Sequence, residues 1–257
     1  MVGRTLRSAA VAPVGLRRMD EVDFPGEKRV QGGPPHHRSG DSERLGWKSA
    51  GEDAGVAGRR PATAARWAME GRVFRRAVAP GIELRHFEMG DAEAAFAVVE
   101  RNRAYLREWL PWVDGARSPE DIRAFIHRAL MQTEEGRGPQ AAIWMEGAIA
   151  GSVGCHPIDW ANQSCSIGYW LDAGKQGQGV VTRCCAAMLD YLFGELRLHR
   201  VEIRCGTGNS RSCAIPERLG FQREGIAREA EWVNDHWVDL MVWGMLEREW
   251  RAIRATR

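Results

Sequence analysis

The residues best suited to do chemistry lie at a short glycine-rich turn between a strand pattern and a helix pattern. The turn is Lys175-Gln176-Gly177-Gln178-Gly179, and behind it apolar residues recur at helical spacing from Val180 to Leu192. The first N–H groups of a helix have no intrahelical acceptor and lie at the positive end of the helix dipole. A glycine turn that leads into a helix therefore predicts a site that binds phosphate.

Two common phosphate-binding motifs do not fit this turn. A P-loop ends in Gly-Lys-Ser/Thr, whereas Gly179 is followed by Val180 and Val181. A dinucleotide-binding turn needs a third glycine at the position that Thr182 occupies. What remains is Gln-x-x-Gly-x-Val, and a turn of purely structural purpose stays the alternative.

The turn lies inside a regular series of strand and helix patterns. The predicted order is strand 82–86, helix 91–102, a helix from 118, strands 140–145, 148–158 and 165–171, the helix from 180, strand 200–205, helix 209–219, strands 221–232 and 236–246, and a last helical turn at 247–253. A strand, a helix and the next strand form one crossover unit, so strands 165–171 and 200–205 should be parallel. We expect an α/β (α+β mixed) fold, with a mixed, mostly antiparallel sheet of about seven strands and helices on both faces.

One aromatic and basic segment, residues 102–112, interrupts this order and is broken by Pro111. It predicts either a packed short helix and turn or the wall of a groove for an acceptor substrate, because loops with Trp and Arg often contact ligands.

Composition separates the N-terminal stretch from the rest. Residues 1–69 are rich in Gly, Pro, Arg and Ser and lack apolar periodicity, so we expect a disordered extension. Met69 stands where the ordered pattern starts, and upstream translation is the alternative; residues 70–257 form the predicted domain.

The formal net charge of +2 indicates no DNA or membrane partner. The 6 cysteines lack a C-x-x-C pair, so we expect no metal site and a reducing cytoplasm.

Four local signatures within residues 74–250 make the interpretation of fold and function more specific. They are Gly168-Tyr169-Trp170-Leu171 before the turn, Gln176-Gly177-Gln178-Gly179 in it, residues 209–221 around the next helix, and Glu229-Ala230-Glu231-Trp232 on the following strand. Together with the element order, this set resembles the GNAT acyltransferases, in the RimJ/RimL-type branch that acetylates ribosomal-protein N-termini. The resemblance implies acetyl-CoA as co-substrate and a protein N-terminus, or a small amine, as acceptor. It leaves open whether the enzyme is a monomer or a homodimer.

The resemblance also implies a role for each matching residue. The backbone amides of residues 176–181 would hold the pyrophosphate of acetyl-CoA, and the strand end would hydrogen-bond the pantetheine arm as an added strand. The implied cofactor-binding residues are Trp170, Leu171, Gln176, Gly177, Gln178, Gly179, Val180, Val181 and Asn209. In catalysis, the Leu171 amide would polarise the thioester carbonyl, Ser212 would protonate the leaving thiolate, and Glu231 would accept a proton from the amine. We expect Glu231 and the glycine turn to share one side of the sheet.

Simpler interpretations of these residues remain open. Asn209 can be only a helix cap, Ser212 can bond only backbone, and Glu231 beside Arg228 can be a surface charge. Cys213 suggests an acyl-enzyme, but we expect direct transfer because no base lies near it in sequence. At the level of function, the alternatives are acetylation of a polyamine or aminoglycoside and a non-catalytic acyl-CoA-binding module.

Overall fold

The structure is a computed structural model that describes residues 74–256. Its strands are β1 (Arg75–Ala79), β2 (Ile82–His86), β3 (Gln140–Met145), β4 (Ala148–Cys155), β5 (Ser164–Leu171), β6 (Arg200–Gly206), β7 (Gln222–Val233) and β8 (His236–Leu246). Its helices are α1 (Ala92–Arg101), α2 (Arg103–Leu106), α3 (Pro119–Glu134), α4 (Val180–Gly194), α5 (Ser210–Leu219) and α6 (Glu247–Ala255). The predicted N-terminal extension, residues 1–69, lies outside the described residues.

The predicted fold class is confirmed. The strands form an 8-stranded sheet in the order β1-β2-β3-β4-β5-β6-β8-β7. The crossover through α4 makes β5 and β6 parallel, as predicted, and the other neighbouring strands within residues 74–256 are antiparallel. The sheet has one strand more than expected, the edge strand β1, which pairs with β2. Its sequence, Arg-Arg-Ala-Val-Ala, lacks a strand alternation, so its conformation depends on the pairing with β2 rather than on local pattern.

Two apolar clusters pack on the two faces of the sheet. Tyr169 and Cys205 belong to the cluster that includes Met188 of α4 and Ile215 of α5, and we call this side the α4 face. Trp170 belongs to the cluster of α1 and α3, and we call that side the α1 face. Successive side chains of a strand alternate between faces, so residues next to each other in β5 contribute to different cores.

The helices of the described part of the chain pack against these two cores. Within residues 74–256, no helix combines the length and the apolar character that crossing a bilayer requires.

Candidate active site

The sheet opens between β5 and β6. Their ladder joins only residues 164–166 to residues 200–202, although β5 continues to Leu171 and β6 to Gly206. The carboxyl-terminal halves of two parallel neighbours are therefore unpaired with each other, and a gap passes through the sheet at this place. Ligands in α/β sheets bind outside the carboxyl ends of parallel strands where neighbouring elements diverge.

The backbone of β5 directs hydrogen-bonding groups into this gap. On the side of β4, His156 N donates to Ser166 O at 2.8 Å and Asp172 N to Ala150 O at 2.7 Å. In an antiparallel ladder these groups alternate between the two edges of a strand. The N–H and C=O groups of Tyr169 and Leu171 therefore face the gap. This arrangement can pair with an extended ligand as a strand would.

Two predicted cofactor residues on β5 differ in this respect. Leu171 faces the gap through its backbone, whereas Trp170 pairs with Ser152 of β4 and buries its side chain on the α1 face. Tyr169 offers the backbone groups that the sequence interpretation assigned to Trp170. The register of the β4–β5 ladder decides between these neighbours, and no local sequence signal reports it.

The glycine turn has the geometry of an anion site. Just before the turn, the Asp172 carboxylate accepts a hydrogen bond from Gly174 N at 3.1 Å. Gly177 and Gly179 have φ of 76° and 68°, in the left-handed region that glycine adopts without steric cost. Helix α4 begins directly after Gly179, which has no side chain to cap it. The N–H groups of Val180 and Val181 therefore have no intrahelical acceptor, and they are available to a phosphate.

Arginine side chains brace the turn from two helices. Arg211 of α5 donates from Nη1 to Gln176 Oε1 at 2.9 Å. Arg183 of α4 donates from Nη2 to the Gln178 carbonyl oxygen at 2.9 Å. Both guanidinium groups add positive charge beside the helix terminus, which favours an anionic ligand. The sequence patterns did not identify Arg183, because its role depends on the side chain folding back over the turn.

The start of α5 lies against β5 on the α4 face. Asn209 is the N-cap, and its Oδ1 accepts from Ser212 N at 3.1 Å; the interpretation of Asn209 as a helix cap is confirmed. Both residues are buried. The Ser212 hydroxyl lies 3.3 Å from the Tyr169 hydroxyl, which also donates to the Ser212 carbonyl oxygen at 3.2 Å. Burial raises the pKa of Tyr169 well above its usual value, so its proton stays in this hydrogen-bond pair.

The aromatic segment after α1 crosses the gap on the α1 face. It forms the short helix α2 and then turns. On the β5 side, the Tyr105 hydroxyl donates to the Leu171 carbonyl oxygen, and the Trp112 and Trp170 rings lie 6.2 Å apart between centroids. On the β6 side, Trp109 covers the end of the strand. The segment therefore covers the gap on the α1 face. The two interpretations of residues 102–112, a packed short helix and turn or the wall of a groove, are compatible with each other.

Glu231 lies beside this segment. Cys205 of β6 belongs to the cluster on the α4 face, so the next residue, Gly206, points to the α1 face. A Cβ on Gly206 would come within 3.1 Å of Trp109 Cζ3 and 3.2 Å of Val238 Cγ1. The side chains of Trp109 and Val238 therefore lie on the α1 face. Val238 is the register partner of Glu231, and opposed residues project to the same face. Glu231 is half-buried. Burial disfavours its charged form and raises its pKa to about 7.

The expectation that Glu231 and the glycine turn share one side of the sheet is wrong. Helix α4 packs on the α4 face, whereas Glu231 projects to the α1 face with Trp109. The gap joins the two sides, because β5 and β6 are not paired there. A ligand anchored by its phosphates at α4 can thus present its other end to a carboxylate across the sheet.

Cys213 follows Ser212 on α5 and faces a second thiol. Its Sγ lies 3.6 Å from the Gly206 carbonyl oxygen. A hydrogen bond from Cys205 lowers the pKa of Cys213, and the same pairing raises the pKa of Cys205. The partner of this thiol is another thiol, which is a poor general base at neutral pH.

These features fit acetyl-CoA. Its phosphates match the N–H groups of residues 180–181 with the guanidinium groups beside them. Its amide-containing arm matches the backbone groups of Tyr169 and the N–H of Leu171, which face the gap. A half-buried carboxyl group with a pKa near neutrality suits proton abstraction from an amine.

Comparison with known proteins agrees with this geometry. The family model for the acetyltransferase (GNAT) domain matches residues 82–222. YdaF of Bacillus subtilis (strain 168), named as a putative ribosomal N-acetyltransferase, is 34% identical over 172 residues, which cover 66% of this chain and 94% of YdaF. The ribosomal-protein-serine acetyltransferase of Escherichia coli (strain K12) is 27% identical over 169 residues, 66% of this chain and 94% of that protein.

A solved structure extends the agreement to the whole domain and to the co-substrate. RimL, the ribosomal L7/L12 alpha-N-protein acetyltransferase, in complex with coenzyme A superposes with a TM-score of 0.65 at 26% identity, covering 67% of this chain and 98% of RimL. The chain belongs to the GNAT acetyltransferase family, in its RimJ/RimL-like branch, and is an N-acetyltransferase that uses acetyl-CoA as co-substrate.

Proposed function

We propose that this enzyme acetylates the N-terminal amine of a protein, and that the acceptor is a ribosomal protein in the cytoplasm. The observation that carries the proposal is the half-buried Glu231, which stands across the gap from the phosphate-binding turn with a pKa of about 7. The names of YdaF, the Escherichia coli enzyme and RimL point to ribosomal proteins as the acceptor class.

The donor is held by backbone groups in this proposal. The amides of Gly177, Gln178, Gly179, Val180 and Val181 bind its pyrophosphate. The predicted contact from the Gln176 amide is not kept, because the Gln176 N–H donates to the Ala173 carbonyl oxygen at 3.3 Å; Gln176 contributes instead through its side chain, which accepts from Arg211. The backbone groups of Tyr169 pair with its extended arm, and Asn209 contacts the same arm while it caps α5. Trp170 supports this edge from the opposite side, by its pairing with β4 and its packing against Trp112.

Transfer needs a base, an oxyanion donor and a fate for the thiolate. Glu231 takes the proton of the attacking amine, directly or through a water. The Leu171 N–H, which faces the gap, stabilises the charge on the thioester oxygen. Ser212 gives a proton to the departing thiolate. Its hydroxyl is bonded to Tyr169, and the thiolate is a fair leaving group, so the contribution of Ser212 is the smallest of the three.

The unfavourable burial of charge on Glu231 has a catalytic use. An ordinary glutamate would be a weak base at neutral pH, whereas burial raises the pKa of Glu231 to about 7, near the ambient pH, where a general base is most effective. The accepting amine reaches Glu231 from the α1 face, and the donor reaches the gap from the α4 face.

The test is a coenzyme A-release assay with three acceptor groups. The first contains tetrapeptides with the N-terminal sequences of ribosomal proteins, the second contains the same peptides with an N-terminus blocked by acetylation, and the third contains spermidine and an aminoglycoside. We expect release with free peptide N-termini only.

Two results would change the conclusion. Release with spermidine or the aminoglycoside but with no peptide would replace the acceptor class and keep the enzyme. Binding of acetyl-CoA in calorimetry without release with any amine would identify a binding module instead.

A further inference from the structure

The strand that carries Glu231 does not pair continuously. In the β7–β8 ladder, Ala227 faces Leu240 and Glu231 faces Val238. Residues 228–230 of β7 therefore stand opposite a single residue of β8, Asp239. Such bulges bend a strand and re-aim the side chains beyond them. Beyond this bulge only the short hairpin end remains, where Glu231, Trp232 and Val233 pair with β8.

The bulge holds a strained backbone. Glu229, in its middle, has φ of 46°, a conformation that non-glycine residues adopt only when the surroundings impose it. The backbone N–H of Glu229 donates to the Asp239 carboxylate (Oδ1) at 2.8 Å. This hydrogen bond to a side-chain oxygen holds the extra residues out of the ladder.

Asp239 also contacts the opposite neighbour in the sheet. Its carbonyl oxygen accepts from Thr207 N at 2.9 Å, and Thr207 leads from β6 toward Asn209, whose N donates to the Gly206 carbonyl oxygen at 2.8 Å. One residue therefore links the strand of the proposed base to the connection that carries the proposed donor contact.

We infer that Asp239 is a positioning residue for Glu231, an inference that rests on the proposed function of Glu231. A slip of one residue in an antiparallel ladder turns every following side chain to the other face. Only three residue pairs lie beyond the bulge, and the contacts there that oppose such a slip are the buried Val233 and the Trp232–Trp237 ring pair, with centroids 5.2 Å apart. The Asp239 carboxylate fixes how many residues stay in the bulge, and so keeps Glu231 on the α1 face at the gap.

The test compares Asp239→Ala with Asp239→Asn in the full chain. Alanine removes the acceptor of the Glu229 N–H, whereas asparagine keeps a carbonyl oxygen there and loses only the charge. Misplacing a catalytic group by about 1 Å costs up to about 100-fold in rate, and we expect Asp239→Ala to lower kcat by about 30-fold with the KM for acetyl-CoA changed by less than about threefold. Asp239→Asn should restore kcat to within about threefold of wild type.

A matched control is Asp235→Ala. It removes a carboxylate at the tip of the same hairpin that is paired with His236 and makes no hydrogen bond to the bulge among the described residues. We expect kcat to stay at the wild-type value. Wild-type kcat in Asp239→Ala would overturn the inference, and so would equal damage in Asp239→Asn, since that result would assign the effect to charge rather than to position.

A second readout separates this inference from the proposed function. Carbon-13 NMR titration reports the pKa of the Glu231 carboxyl group whether or not the chain transfers acetyl groups. We expect a downward shift in Asp239→Ala, as the carboxyl group moves into water, and no shift in Asp239→Asn. Unchanged titration in both variants would overturn the positioning role, and an inactive wild-type protein with the expected shifts would overturn only the proposed function.

Discussion

The two sides of the β5–β6 gap are built in different ways. On the α4 face, the glycine turn, α4 and the cap of α5 follow one another along the chain, and the proposed donor contacts are backbone groups held by glycines and a cap. On the α1 face, Glu231 and Trp109 are separated by 122 residues of sequence, and a bulged hairpin and the aromatic segment bring them together.

This difference indicates that the α4 face determines the affinity for the donor, whereas the α1 face determines the rate of acetyl transfer. Backbone amides at a helix terminus bind phosphate without a specific side chain as ligand, so the donor side depends mainly on its backbone and glycines, with Arg183 and Arg211 adding charge beside them. The acceptor side depends on one side chain at one register position, and its chemistry is lost with that side chain. Donor affinity and transfer rate should therefore respond to different substitutions.

The sharpest separation comes from Glu231→Gln, which removes the proposed base and keeps the shape of the side chain. General-base catalysis contributes about 10²–10⁴-fold, so we expect kcat to fall by at least about 100-fold with little change in acetyl-CoA affinity. Steady-state kinetics and calorimetry measure the two effects. Glu229→Gln, a neutralised carboxylate on the same bulge, is the control, and equal loss in both variants would remove Glu231 from the mechanism.

The opposite separation comes from Gly179→Ala. Gly179 has φ of 68°, which costs a residue with a side chain about 1–2 kcal/mol, and relaxation of that strain would move the amides of residues 180–181. We expect acetyl-CoA to bind about tenfold more weakly, with kcat near the wild-type value at saturation. Gly174→Ala is the control, since a Cβ there meets only Asp172 Oδ1 at 3.7 Å. Unchanged affinity would contradict a phosphate site at this turn.

The raised pKa of Glu231 makes a prediction for stability as well as for rate. In the folded protein the pKa is about 7, against 4.5 for the exposed group. Below the lower value both states are protonated; between the two values only the unfolded state ionises, so stability falls as pH rises and stays lower above pH 7. Glu231→Gln should therefore raise Tm by about 2–4 °C at pH 8.5 and by less at pH 5.

Scanning calorimetry of both proteins at the two pH values measures this difference. In wild type, kcat/KM should rise with pH through a midpoint near 7, as Glu231 of the free enzyme loses its proton. A Tm difference independent of pH would show that Glu231 titrates like an exposed glutamate.

The smallest effect is expected for Cys213→Ala. With direct transfer the thiol has no covalent role, and we expect kcat to stay within about twofold of wild type. If the reaction passed through an acyl-cysteine, Cys213→Ala would abolish turnover. Mass spectrometry of the wild-type protein mixed with acetyl-CoA alone would then show an acetyl adduct.

The same contrast explains what could be predicted from the sequence. Helix α5 begins after Asn209 and ends before Gly220, and β8 spans His236–Leu246, as the caps, turns and alternation predicted. These signals act within a few residues. The edge strand β1, the backbone direction of Tyr169 and the face of Glu231 depend on which strands pair and in which register. No local sequence pattern reports either property.

The central claim is that the gap between β5 and β6 receives the acetyl donor as an added strand. Hydrogen exchange at the amides of Tyr169 and Leu171, measured with and without coenzyme A at saturation, tests it most directly. We predict slow exchange at both amides only in the complex, since their N–H groups face the open gap in the free protein. Equal exchange in the free and bound protein, with coenzyme A shown to be bound, would contradict this assignment of the site.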